Sequence, residues 1–190
     1  AQTSAAKAGT ARAALWTKAQ LGLANLYSSE AAASADSFSG EATSALQKCW
    51  ETFASLDRHR GLQLGEISDL KRGTFSVLDR TIASLSEQGK HQKALDALDD
   101  CPSELLQDFP DIHAQLASAR VRALKGWSGQ CITEGKHEEI GKRLKEEGLP
   151  ADNRTEVMQH VIDLYQQAVA DALTRYDIET AIESVNGGEK

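Results

Sequence analysis

The feature of this sequence that most constrains its fold is the scarcity of residues that interrupt a helix. Only three prolines occur in 190 residues, and residues 1–101 contain none. Alanine and leucine, which favour helices, dominate the composition, whereas valine and isoleucine, which favour strands, are sparse. We find no convincing run of alternating apolar and polar residues. The sequence therefore predicts an all-α protein, a bundle of six to eight helices.

Length and charge restrict the class of protein. A chain of 190 residues, 41% of them hydrophobic, is long enough for one domain with a substantial core. The net charge is −7 and acidic residues are spread along the chain, which disfavours nucleic acid as a partner. No stretch approaches the ~20 apolar residues of a transmembrane segment. We expect a single all-helical domain at 1–185, divisible into an N-terminal hairpin (1–61) and a hairpin-repeat region (62–185), followed by a flexible tail at 186–190.

Apolar residues at helical spacing predict the helices and the core. The first helix, from about Thr3 to Ala35, carries the apolar stripe Leu15, Ala19, Leu23 and Leu26. A second helix ends near Gly61, and a third covers about 64–87. The last helix starts at Asn153, which forms a capping-box pattern with Glu156. Ten residues are predicted to be mostly buried: Leu46, Trp50, Phe53, Leu78, Ile82, Leu116, Leu124, Val161, Tyr165 and Leu173.

A short sequence occurs twice at matched places. Gly89-Lys90-His91 recurs as Gly135-Lys136-His137, 46 residues later, and each copy follows a long helix and opens a short one. The segment around the first copy resembles helical-hairpin repeats of the tetratricopeptide or α-solenoid kind, in which a glycine opens the turn. The tetratricopeptide period of about 34 residues is absent. Two interpretations stay open: a solenoid-like pair of hairpins, or an ordinary bundle in which the tripeptide recurs by coincidence.

No motif for catalysis or cofactor binding is complete. Neither Gly-Lys-His copy has the upstream glycine of a phosphate-binding loop, and Gly126-Trp127-Ser128-Gly129 is one residue short of a nucleophile elbow. His137-Glu138-Glu139 begins like a zinc-binding helix, but Gly141 stands where the second histidine is needed. We therefore predict no catalytic residue, no metal ligand and no cofactor. A site assembled from distant residues stays open.

The cysteines and the N-terminal segment bear on the compartment. Cys49, Cys101 and Cys131 are odd in number and form no CxxC pair, which favours free core thiols in a reducing compartment over one disulfide plus a free thiol. The first 29 residues contain three basic residues and no acidic one. That composition is typical of an organelle transit segment or its remnant, or of an ordinary alanine-rich helix. An intracellular location is favoured, and an organelle stays open.

The absence of complete chemical motifs, together with amphipathic helices, favours a non-enzymatic protein-interaction or structural subunit. Its partner is expected to be another protein, bound through a helical surface. The candidate partner-binding residues are Lys90, His91, Trp127, Lys136 and His137, with Trp127 either a binding anchor or a core residue. Two alternatives remain: an all-α enzyme or cofactor carrier with a site in the bundle core, and a processed subunit of an organelle complex. The sequence leaves the oligomeric state open.

Overall fold

The computed structural model describes residues 2–35, 40–58, 64–147, 149–174 and 178–188. Within these ranges the chain forms eight α-helices, one short 3-10 turn and no strand, which confirms the prediction of an all-α bundle. The helices are α1 (Gln2–Ser34), α2 (Glu41–Arg58), α3 (Leu64–Glu87), α4 (His91–Asp99), α5 (Pro110–Thr133), α6 (His137–Glu146), α7 (Ala151–Thr174) and α8 (Ile178–Gly188), and the 3-10 turn is Ser103–Leu106.

The helices are arranged as successive antiparallel pairs. Three hairpins follow the α1–α2 pair. In each hairpin a long helix of 24 residues is followed by a short helix, whose first residue lies 27 positions after the first residue of the long helix. The long helices α3, α5 and α7 pack side by side in chain order, and the short helix α4 packs against both α3 and α5. The structure therefore favours the repeat interpretation of the two Gly-Lys-His copies and adds a third hairpin, α7–α8. That hairpin lacks the tripeptide.

The two Gly-Lys-His turns have nearly the same backbone geometry. Gly89 and Gly135 have φ angles of 71° and 73°, in the left-handed region that glycine adopts without steric cost. The Lys90 N–H donates to the Leu85 carbonyl at 2.9 Å, and the Lys136 N–H donates to the Cys131 carbonyl at 2.8 Å. Each bond closes the preceding long helix in a Schellman motif, so the glycines set the direction of α4 and α6.

Replacing either turn glycine with alanine is expected to destabilise the fold by about 1–2 kcal/mol, because alanine is strained at positive φ. Gly73 provides the matched control: it lies inside α3, and a Cβ there would meet nothing within 4 Å. Gly73→Ala should stabilise by about 0.5–1 kcal/mol through its better helix propensity. Urea denaturation of the three variants measures both effects. A loss at Gly73 equal to that at Gly89 would contradict the assigned turn geometry.

The core contains nine of the ten residues predicted to be buried. They come from α2, α3, α5 and α7, and the most enclosed of them are Phe53, Leu78 and Leu124. Trp50 stacks on Phe75, with ring centroids 5.3 Å apart, and Phe75 meets Phe109 edge to face. The tenth prediction, Leu173, was wrong: its side chain is 57% exposed near the end of α7, where Ala172 points inward instead.

The face that α1 buries differs from the apolar stripe in its sequence. Leu15 and Leu26 are 70% and 59% exposed, whereas Ala24, Ser28 and Ala31 are buried. The small side chains let α1 lie close to α2, and the Cys49 thiol donates to the Ala24 carbonyl at 3.5 Å. The apolar stripe that predicts the helix is therefore not its packing face, and a face of small residues carries little hydropathy signal.

The end of the chain also differs from expectation. α7 begins at Ala151, and the Arg154 N–H donates to the Pro150 carbonyl at 2.9 Å, so Asn153 lies inside the first turn and does not cap it. Where one last helix was expected, the chain forms α7 and α8. α8 continues to Gly188, through part of the segment expected to be a tail. The predicted helix end at Gly61 lies outside the described residues.

Candidate functional site

The histidines of the two turns pack against the next hairpin. Ring atoms of His91 occupy the space that a Cβ at position 126 would need, so the ring lies directly on the α5 backbone at Gly126. His137 and the Tyr165 hydroxyl of α7 share a hydrogen bond, with Nδ1 and Oη 2.9 Å apart. Both rings therefore connect successive hairpins, a role that the sequence did not assign to them.

We expect the stability of the fold to depend on pH through His91. Burial lowers the pKa of His91, and its Nδ1 is buried without a hydrogen-bond partner among the described residues. A folded-state pKa below the unfolded value means that stability is complete above about pH 6.5 and falls as the pH drops toward the folded-state pKa. We expect His91→Gln to remove this loss, measured as unfolding free energy between pH 5 and 8. The exposed His113, changed to glutamine, is the control, and an equal effect there would contradict the assignment.

The other three candidate residues differ in burial: one is buried, one is exposed and one is half-buried. Trp127 is 7% exposed and belongs to the core, the alternative to an anchor that the sequence left open. Lys136 is exposed and pairs with Glu134 at 2.7 Å, which raises the pKa of the lysine. Lys90 is half-buried at the first turn. Of the five candidate residues, His137 lines a concave surface in the described part of the chain.

That concave surface is an apolar groove between α6 and α7, closed at one end by Gly187 of α8. It has a volume of about 220 Å³. Ile140, Leu144 and Val161 are buried beneath it, while Met158 and Ile162 are 45% and 41% exposed along its wall. We call this surface the α6–α7 groove. Among its lining residues, only His137 was predicted to bind a partner, whereas Val161 and Tyr165 were predicted as core residues.

A difference between two hairpins accounts for the groove. Aligning the turns places Ile140 at the position of Ala94 and Leu144 at that of Leu98, and all four are buried. Between them, Gly141 of α6 stands where α4 has the fully buried Leu95. Whereas α4 packs along α5, α6 makes at most marginal contact with α7 in the described chain. The missing leucine side chain leaves a gap, and comparing the two copies position by position is the signal that could have revealed it.

The rim of the groove is basic although the chain is acidic overall. Lys145 and Arg154 line it together with His137, and no acidic residue is among its lining residues. In the part of the chain that the structure describes, neither Lys145 nor Arg154 forms an ion pair. Glu138 and Glu146 lie on the neighbouring outer face of α6, together with Lys142.

A larger cavity, of about 390 Å³, lies near the 3-10 turn and the start of α7, but its charged groups are already paired. Glu147 is 2% exposed and binds Arg120 and Arg143, which also bind Asp99 of α4 at 2.7 Å each. We call these four residues the ion network. Because Glu147 is held by two guanidinium groups, it is poorly placed to act as a general base.

The three cysteines are buried and free, in agreement with the interpretation as core thiols. Burial raises the pKa of Cys49 and Cys101 to about 12 and that of Cys131 to about 11. A thiolate is the reactive form of cysteine, so these thiols are unreactive at neutral pH. The cavity that Cys101 lines therefore has no activated nucleophile from this residue.

Within the described ranges, no cluster of three or more histidine, cysteine, aspartate or glutamate residues is placed to hold a metal ion. Among the same residues, no helix combines the length and apolar character needed to cross a membrane. Comparison of the chain with protein-family models, with curated proteins and with solved structures finds no match.

Proposed function

We propose that the protein is a non-enzymatic interaction subunit that binds an amphipathic helix of another protein in the α6–α7 groove. The observation that carries the proposal is an apolar groove between two helices with half-exposed Met158 and Ile162 in its wall. Helix-in-groove recognition uses this arrangement, with apolar side chains of the partner helix as anchors. The groove volume of about 220 Å³ is below the roughly 300–1,000 Å³ of small-molecule sites. That size favours one or two anchor side chains over a cofactor.

The charge of the rim defines the partner further. Lys145, Arg154 and His137 surround the apolar floor without an acidic neighbour in the groove lining. A partner helix with aspartate or glutamate beside its apolar anchor complements this rim. Such charges speed association and fix the register of the helix more than they add affinity. The expected partner is thus an acidic amphipathic helix.

The five residues predicted to bind a partner have different roles in this proposal. His137 lines the groove, and Lys136 precedes it at the exposed turn, so both belong to the proposed interface. Lys90 lies at the other turn and is retained only as a charge-reversal control. His91 and Trp127 support the interface indirectly, because they hold α4 and α5 in place.

A selection experiment tests the chemistry of the partner. Peptides of 16 random residues are displayed and selected on the purified protein, and the winners are sequenced. We expect enrichment of helical patterns with apolar residues at i, i+3 or i+4 and neighbouring acidic residues. Lys145→Glu with Arg154→Glu should weaken binding of the winners by roughly tenfold, the size of two lost partly exposed charge pairs. Lys90→Glu is the control. Winners without acidic bias, or equal losses for Lys90→Glu, would contradict the proposed partner.

A further inference from the structure

The outward side of α8 is a second exposed apolar surface on the last hairpin. Ile182 and Val185 are 55% and 49% exposed, and residues three apart lie on one side of a helix. Ser184 is buried and Gly187 closes the end of the groove, so the opposite side of α8 faces α7. We call Ile182, Glu183 and Val185 the α8 ridge.

The α8 ridge has the chemistry that the α6–α7 groove requires of an occupant. It offers two apolar side chains at i and i+3, and the groove has room for one or two anchors. Glu183 is exposed beside Ile182, and α8 contains no basic residue. Among the described residues, Glu183 forms no ion pair, and neither do Lys145 and Arg154 of the groove rim. The ridge is therefore an acidic counterpart of the basic rim.

In the structure, the ridge does not reach the groove of its own chain. α8 runs antiparallel to α7, and Gly187 packs on Tyr165 where the groove ends. Ile182 lies five residues before Gly187, about 7.5 Å further from the groove along the helix axis. The ridge also points away from α7, which forms one wall of the groove. While α8 keeps this position, only a second molecule can bring an α8 ridge onto the groove.

We propose that two copies of the chain associate by placing the α8 ridge of each copy in the α6–α7 groove of the other. Ridge and groove are adjacent on the molecule, because Gly187 of α8 closes the groove. Together they form one patch with a convex acidic half and a concave basic half, and a two-fold axis pairs each half with its opposite. The proposal rests on the proposed function of the groove, and it names a second copy as an occupant that competes with the partner helix.

The distribution of exposed apolar side chains supports this contact. In the described chain, the large apolar side chains that are exposed lie in two regions, α1 and the α7–α8 hairpin. The groove wall and the ridge together contribute four of them: Met158, Ile162, Ile182 and Val185. Pairing two copies as proposed covers all four in each copy. Exposed apolar surface that is concentrated in one patch is typical of an interaction site.

The oligomeric state of the full chain tests the proposal. Sedimentation equilibrium at micromolar concentrations should show a monomer–dimer equilibrium for the wild type. Ile182→Glu should weaken the dimer by at least about 100-fold, because it places a charge in an apolar groove at both contacts. Leu26→Glu on α1 is the matched control, since Leu26 is 59% exposed, and it should dimerise like the wild type. A monomeric wild type, a dimer that survives Ile182→Glu, or equal losses in both variants would overturn the proposal.

Charge reversal tests which surfaces meet. Glu183→Lys should weaken the dimer by roughly tenfold, because it sets like charges against each other at both contacts. Lys145→Glu with Arg154→Glu should have an effect of about the same size for the same reason. All three changes in one chain should restore the dimer, since the pairs re-form with opposite sign. Failure of this combined variant to dimerise better than its parents would overturn the pairing of ridge with groove.

Peptide binding separates a failure of this proposal from a failure of the proposed function. Ile182→Glu leaves the groove open, so the monomer should bind a selected acidic peptide at least as tightly as the wild type does. Gly141→Leu fills the groove and should abolish both the dimer and peptide binding. A wild-type monomer that binds the peptide would overturn the dimer and leave the proposed function intact. A dimer that is lost in Gly141→Leu, without any peptide being selected, would support the dimer and contradict the proposed partner.

Discussion

Replacing Glu147 with alanine is expected to lower the free energy of unfolding by about 3–5 kcal/mol, the cost of removing one partner from a buried ion pair. The Glu147 side chain is 2% exposed and binds both Arg120 and Arg143. Burial alone would lower the pKa of Arg120, but hydrogen bonds to Glu147 and Asp99 raise it above its ordinary value. Without Glu147, two largely desolvated guanidinium groups would share Asp99. Because both arginines keep about a fifth of their side-chain surface exposed, we expect the lower end of this range.

Asp99→Ala provides the matched control for the ion network. Asp99 binds the same two arginines but is 43% exposed, so its loss should cost about 1 kcal/mol or less. Urea denaturation of both variants at pH 7 measures the two costs. Equal losses would contradict the assignment of Glu147 as the buried centre of the network. Because the network connects α4, α5 and α6, its loss is also expected to loosen the position of α6 beside the groove.

Truncating Ile82 to alanine is expected to cost about 2–5 kcal/mol, because it leaves a cavity in a closely packed core. Ile82 is 1% exposed in α3, within the cluster that joins α2, α3 and α5. Leu173→Ala removes a side chain of similar size from a position that is 57% exposed, and its cost should stay below about 0.5 kcal/mol. The shift in urea midpoint measures both. A comparable loss at Leu173 would show that the α7 face is assigned incorrectly.

The parts of the fold that follow from the sequence are those with a strong local signal. The turn at Gly89 and the turn at Gly135 were predicted, because a positive φ angle after a long helix favours glycine. Helix α3 was predicted with its observed bounds, since its apolar residues recur at helical spacing. The third hairpin was missed because the sequence between α7 and α8 contains no glycine to signal the end of a helix.

Two features depend on the packing partner and were therefore not predictable from one sequence. The inward face of α1 consists of Ala24, Ser28 and Ala31. Small side chains are needed there because α2 lies close, and their hydropathy does not mark them as a buried face. The α6–α7 groove arises because Gly141 has no side chain. The residues beside it follow the pattern of ordinary core positions in the sequence. Of the predicted site residues, only His137 lies in that groove.

The affinity of a selected acidic peptide for Gly141→Leu protein tests the central claim most directly. The change puts into α6 the residue that α4 has at the equivalent position, Leu95, and so fills the groove from within. Leucine also favours the helix more than glycine, so the variant should keep or gain stability, by up to about 1 kcal/mol. We predict that it loses at least roughly tenfold in peptide affinity, about 1.4 kcal/mol of binding free energy, by isothermal titration calorimetry. A folded Gly141→Leu protein that binds the peptide as tightly as the wild type would contradict the α6–α7 groove as the binding site.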